Sequence, residues 1–214
     1  RHVFLQGNDL PQRWHNHPQR HFCIGELGFG TGLNFLLTWQ AWREQPGARP
    51  DLHYFSIEKH PLTHADLATA LDAWPALALL AKPLLDAYPG LLAGQHRVLL
   101  DDGRVRLDLW WEDAAEALQD LADRKQQLVD AWYLDGFAPS RNATMWTAPL
   151  LQAVAALSRP EASLATFTVA GQVRRNLADA GFQVEKVPGY GRKRECLRGT
   201  IEKQQTPAAS NHIS

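Results

Sequence analysis

The stretch Cys23-Ile24-Gly25-Glu26-Leu27-Gly28-Phe29-Gly30-Thr31-Gly32-Leu33-Asn34-Phe35 constrains the fold more than any other part of this 214-residue chain. Phe22 and Ile24 read as the end of a buried strand. Glu26 and three glycines at alternate positions follow. Leu33, Phe35, Leu36, Leu37, Trp39 and Trp42 then recur with a helical rather than a strand period. Strand, glycine-rich turn and helix open a nucleotide-binding βαβ unit, where glycine permits a tight turn and lets a ligand meet bare backbone. A dinucleotide fingerprint, G-x-G-x-x-G, faces a pyrophosphate. Here the order is E-x-G-x-G-x-G, and an acid ahead of the glycines disfavours phosphate. It favours a ligand with positive charge, such as S-adenosylmethionine with its sulfonium and amino group. The same residues would also suit a turn that only packs a helix on a sheet.

The strands that follow supply further acids at their ends. Residues 52–57 read as a second strand closed by Glu58, where a carboxylate can hold a ribose diol. Residues 97–100 and 105–109 alternate across Asp102-Gly103 as a hairpin. Asp113, just after it, could accept from an adenine amino group, cap the helix expected over 114–128, or do both. Residues 129–134 read as the fourth strand of the parallel series, stopping at Asp135-Gly136-Phe137-Ala138-Pro139. In an open α/β sheet that stop lies beside the first strand, at the switch point where ligands bind. Asp135 and Phe137 could there orient a flat, amine-bearing substrate against a methyl donor, although a helix-capping turn would use the same residues.

Elsewhere the reading is structural. Residues 2–6 read as a short strand, 7–11 as a turn, and 62–85 as a helical region broken at Pro75 and Pro83. Residues 163–169 read as the fifth strand and 171–180 as a helix closed by Gly181. Residues 182–187 and 196–201 read as a closing pair of strands. His15, His17 and His21 lie among Pro, Asn and Gln with no acid or cysteine at ligand spacing, so they read as a solvated loop and not as a metal site. The pattern as a whole favours a doubly wound α/β fold, a mostly parallel sheet with an antiparallel C-terminal edge.

Charge and cysteine content narrow the partners. A net charge of −1 announces no general nucleic-acid affinity. Eight basic residues nevertheless stand against four acidic ones between residues 171 and 203. Arg174, Arg175, Arg192, Lys193 and Arg194 belong to that segment, which suits either a phosphate-contacting face or a solvated surface. Cys23 and Cys196 are far apart, as expected of a reduced, cytoplasmic protein without a disulfide framework. No apolar run reaches the roughly 18 residues that a membrane span requires. The chain starts at Arg1 inside an apolar run and holds one methionine, Met145, so it reads as cut from something longer.

Four motifs together carry a resemblance. Residues 25–34 (GELGFGTGLN), 133–139 (YLDGFAP), 164–168 (LATFT) and 189–195 (GYGRKRE), with 7–11 (GNDLP), resemble the methyltransferase domain of the bifunctional tRNA 5-methylaminomethyl-2-thiouridine biosynthesis family. The resemblance runs over nearly the whole chain in order. It implies a class I methyltransferase fold over residues 1–202, with 203–214 a linker or disordered tail. It implies S-adenosylmethionine as donor, held by Glu26, Gly28, Gly30, Gly32, Asn34, Glu58, Asp113 and Asp135. The implied acceptor is the 5-aminomethyl group of a wobble 2-thiouridine, with Asp135 and Phe137 at the reaction. The five basic residues would then hold the tRNA anticodon arm. In that family an FAD-dependent oxidase domain follows; no second dinucleotide fingerprint is present here. Glu112-Asp113 stands where Gly-Asp is expected, which weakens the adenine role of Asp113. Two rivals remain: a methyltransferase of a small-molecule amine, and a non-catalytic donor-binding module that regulates a fused neighbour.

Overall fold

The computed structural model describes residues 2–124, 126–135, 143–189 and 195–201. Eight strands form one sheet in the order β3-β4-β2-β1-β5-β6-β8-β7. The ranges are β1 His21–Leu27, β2 Asp51–Glu58, β3 Gly94–Leu100, β4 Val105–Trp111, β5 Val129–Leu134, β6 Ser158–Thr166, β7 Phe182–Pro188 and β8 Glu195–Ile201. The central five, β4-β2-β1-β5-β6, run parallel. β3 pairs antiparallel with β4 at one edge, and β8 and β7 add antiparallel strands at the other. The structure matches the expected α/β class, and both of its edges are antiparallel.

Burial explains which runs became strands. β1 is buried from its second residue onward and β5 throughout, as strands covered on both faces must be. β3 alternates buried and exposed residues toward its end, as expected of an edge. One face of the sheet carries α2 Leu33–Arg43, α3 His64–Leu71 and α4 Ala78–Asp86; the other carries α5 Ala114–Asp123, α6 Ala148–Leu157 and α7 Gly171–Asp179. Trp132, wholly buried, donates its indole N–H to Ser158 Oγ at 2.9 Å. A Cβ at Gly25 would come within 2.6 Å of that indole, so the first strand accepts only glycine there. No helix among the described residues is long and apolar enough to cross a membrane.

Four local expectations change. Residues His2–Gln6 form a π-helical turn, not a strand, and lead into the short helix α1 Leu10–His15. Val3, Phe4 and Leu5 are all buried in succession. Phe4 stacks on Tyr133 with ring centroids 4.9 Å apart, and Asn8 Nδ2 donates back to Phe4 O at 2.9 Å. His15 therefore ends a helix instead of lying in a loop. Pro83 sits inside α4 without ending it: it gives no N–H to Leu79 O, so one intrahelical bond is lost, yet the helix runs three residues further to Asp86. The helix over 114–128 stops at Asp123. Helix α6 had no counterpart in the sequence reading: APLLQAVAAL is apolar nearly all round, so it shows no amphipathic period.

Candidate active site

Parallel strands end side by side, and their last residues meet. β1 lies between β2 and β5, so the chain's topology reverses direction at the β1/β5 boundary. There Glu26 is the last residue but one of β1, Glu58 ends β2, Asp113 follows β4 and Asp135 follows β5. A cavity of about 570 Å³ opens over these ends, within the range of small-molecule sites. Gly28, Gly30, Asn34, Glu58, Asp113 and Asp135 line it. The structure thus brings together six of the residues read from the sequence.

Glycine geometry builds the corner. Gly28, Gly30 and Gly32 all adopt positive φ, at 93°, 52° and 67°. Gly28 N–H donates to Ile57 O at 2.8 Å, pinning the loop to β2. Gly32 does not line the cavity. It caps α2, and a Cβ there would sit 2.7 Å from the Phe29 ring. Phe29 needs that space because it packs between Tyr88 and Trp111, with centroids 6.5 and 6.4 Å away. Among the described residues no side chain caps the start of α2, which leaves its first N–H groups to a ligand anion or water.

The carboxylates are held in different ways. Glu58 accepts from Gly30 N–H at 3.1 Å and from His60 N–H at 2.8 Å. Two backbone donors fix its orientation toward the cavity. Glu26 is fully buried beneath the floor and accepts from Asn34 Nδ2 at 2.9 Å and Ser56 Oγ at 2.8 Å. Burial pushes its carboxyl up to about 8, with the Asp135 charge adding to the rise and the Asn34 and Ser56 bonds opposing it. Asn34 Nδ2 also donates to Asp135 Oδ2 at 2.7 Å. Asp113 caps α5 through Ala115 N–H at 2.9 Å and pairs with Lys59 Nζ at 3.0 Å. The Lys59 bond holds its carboxyl below the usual range. Asp113 therefore fills its capping role and borders the cavity at once.

Some expected residues lie outside the described residues: Phe137, Arg192, Lys193 and Arg194, with the tail 203–214. Arg174 and Arg175 are exposed on α7. That helix is tied to the cavity wall, since Asn176 Nδ2 donates to Trp146 O at 2.9 Å and Thr144 and Met145, just before Trp146, line the cavity. Lys59 and Met145 were not singled out from sequence. Lys59 follows Glu58 directly, but only the fold places it against Asp113.

The donor set suits a zwitterionic, cationic ligand: acids at four strand ends, one uncapped helix start, and a glycine floor without side chains. A family model described as S-adenosyl-L-methionine-dependent methyltransferase matches residues 75–202. The chain belongs to this family. The match covers Glu112, Asp113 and Asp135 but begins after the glycine corner, so the geometry above is what ties the two halves of this methyltransferase's site together. Curated proteins named tRNA 5-methylaminomethyl-2-thiouridine biosynthesis bifunctional protein MnmC are similar to it. That of Aeromonas hydrophila subsp. hydrophila is 52% identical over 210 residues, covering 96% of this chain and 31% of that protein. That of Vibrio cholerae serotype O1 is 50% identical over 209 residues, covering 95% and 31%. The chain spans about a third of the length of the curated relatives it matches. The crystal structure of MNMC2 from Aquifex aeolicus superposes with a TM-score of 0.72 at 19% identity, covering 94% of this chain and 59% of that one. It shares the fold.

Proposed function

We propose that this methyltransferase moves a methyl group from S-adenosylmethionine to the 5-aminomethyl group of a wobble 2-thiouridine in tRNA. The observation that carries the reading is the cavity at the β1/β5 switch point, walled by Glu58, Asn34 and Asp135 over a glycine floor. The printed name of the relatives supports the acceptor. The remaining length of those relatives, and the word bifunctional in their name, agree with a fused FAD-dependent oxidase domain as partner.

The residues fit the donor. Glu58 would take the ribose hydroxyls, the first N–H groups of α2 its carboxylate, and the Asn34 amide oxygen its ammonium, with Glu26 behind it. Asp113, already engaged by Lys59, would border the adenine. When bound, the donor supplies an electrophilic methyl carbon whose bond to sulfur breaks as a neutral thioether leaves. The chain's own work is placement: Asp135 orients a neutral amine and takes up the proton that the nitrogen sheds. Phe137 stacks on the extruded base, since anticodon bases are unpaired and cheap to splay. Arg174, Arg175, Arg192, Lys193 and Arg194 hold phosphates of the anticodon arm.

The test is transfer of labelled methyl to tRNA that carries the aminomethyl group and lacks the final methyl. One methyl per tRNA, with a rate that falls steeply as salt rises, is expected. Label on free small amines at equal efficiency, or donor binding with no transfer to any acceptor, would overturn the reading in favour of its rivals.

A further inference from the structure

Asn34 lies in the first turn of α2 and donates from one nitrogen to two carboxylates: Glu26 Oε1 at 2.9 Å and Asp135 Oδ2 at 2.7 Å. An amide NH₂ carries two hydrogens, so both are committed to this bridge. The bridge is braced from behind. Thr38 Oγ1 donates to Asn34 O at 2.7 Å and lies 2.9 Å from the Tyr133 hydroxyl on β5. Helix α2 and strand β5 are thus locked together through the residue that joins the two acids.

The two acids live in different surroundings. Glu26 is sealed beneath the floor, whereas Asp135 lines the cavity. Two carboxyl groups brought this close share protons unless a donor stands between them. Glu26 titrates near pH 8 in its burial, so at neutral pH it keeps a proton. Among the described residues the other titratable groups facing the pair are Tyr54 from β2 and Tyr133 from β5. Burial holds both far above the ordinary tyrosine range, and they stay neutral.

We propose that Asn34 is a positioning residue for methyl transfer: its amide holds the Asp135 carboxylate at the cavity wall and separates it from Glu26, so the negative charge stays on the acid that faces the amine. The proposal rests on the reading of Asp135 as the group beside the substrate nitrogen. Without the bridge the two carboxyls meet directly, and the proton of Glu26 becomes shared with Asp135. Asp135 would then be a poorer proton acceptor at the same pH.

The experiment is the pH profile of kcat for wild type, Asn34→Ala and the double variant Asn34→Ala/Glu26→Gln, each with aminomethylated tRNA. Asn34→Ala is expected to lower kcat at pH 7 by about 10–100-fold, more than it raises the KM for tRNA, and to move the acidic limb up by roughly one pH unit. Glu26→Gln in the same chain removes the shared proton and returns the limb to its wild-type position. A fall in kcat with an unmoved limb, or a limb that stays shifted in the double variant, would assign Asn34 a merely structural role. If Asn34→Ala does not fold, Asn34→Ser, which keeps one donor, is compared in the same way. Wild-type protein that transfers no methyl to tRNA would sink the functional reading itself. A shifted profile beside an active wild type speaks to Asn34 alone.

Discussion

The two ends of the parallel strands treat most of their acids differently; Asp113, paired with Lys59 at a carboxyl end, is the exception. From the strands' amino ends to their middle, three acids each meet a cation: Asp51 lies 3.0 Å from Arg104, Asp108 2.7 Å from Arg97, and Asp130 3.1 Å from Arg159. At the carboxyl ends Glu26 and Glu58 are held by neutral donors, the Asn34 amide, the Ser56 hydroxyl and backbone N–H groups. A buried carboxylate beside an arginine is a finished structural pair. One steadied only by neutral hydrogen bonds keeps its attraction for a cation that arrives from outside. On the proposed function, that contrast separates acids that hold the sheet together from acids that would meet a cationic donor, although both kinds occur on the same strands.

The largest expected effect lies at the carboxyl end. Asp135→Ala should lower kcat for methyl transfer by about 10²–10⁴-fold, with donor affinity by calorimetry changed only a few-fold. A variant of near-normal rate would erase the distinction between the two ends. At the amino end Asp130→Ala should act on stability alone. It strips Cys23 N–H of its acceptor at 2.7 Å and leaves Arg159 without its carboxylate, for a cost of about 3–5 kcal/mol in urea unfolding. Its activity per folded molecule should stay normal.

Asp108 sharpens the contrast through pH. Burial alone would raise its carboxyl, but the bonds from Arg97 and His53 outweigh that and hold it at about 2. A carboxyl depressed on folding stabilises the protein above its unfolded value and loses that contribution as the pH falls toward the folded one. About 2 kcal/mol should therefore vanish between roughly pH 4 and pH 2 in wild type, and be missing throughout in Asp108→Asn. Glu26 has the reverse sign. Its carboxyl is raised on folding, so the donor-free protein should lose stability as the pH climbs from about 4.5 through 8. Glu26→Gln should flatten that slope and raise the melting temperature at pH 8.5 while weakening donor binding. Lys59→Ala, which removes an exposed pair with Asp113, should change stability by less than about 0.5 kcal/mol.

Much of this was legible in the chain before folding. The glycine corner, Glu58, Asp135 and the hairpin at Asp102-Gly103 follow local rules: tight turns need glycine, and strand ends carry the acids of a ligand site. The parallel core was readable because β1, β2 and β5 are short runs rich in apolar and aromatic residues. What escaped was whatever depends on partners far away in sequence. Residues His2–Gln6 have strand-like composition, but the sheet has no edge free for them beside β5 and β6, so they coil and bury three side chains together. Helix α6 hides its period because its exposed face, Pro149, Gln152 and Ala156, carries only one polar residue. The bridge from Asn34 spans 101 positions to Asp135, and no local pattern announces it. Gly32 looked like a ligand contact from its place in the motif, whereas its neighbour Phe29 explains it.

A structure of the protein crystallised with S-adenosylmethionine tests the central contrast most directly. The account predicts the donor over Gly28 and Gly30, its ribose hydroxyls on Glu58 and its charged end toward Glu26 and Asp135. A donor lying on another face, or against the arginine-paired acids at the opposite end of the strands, would contradict it.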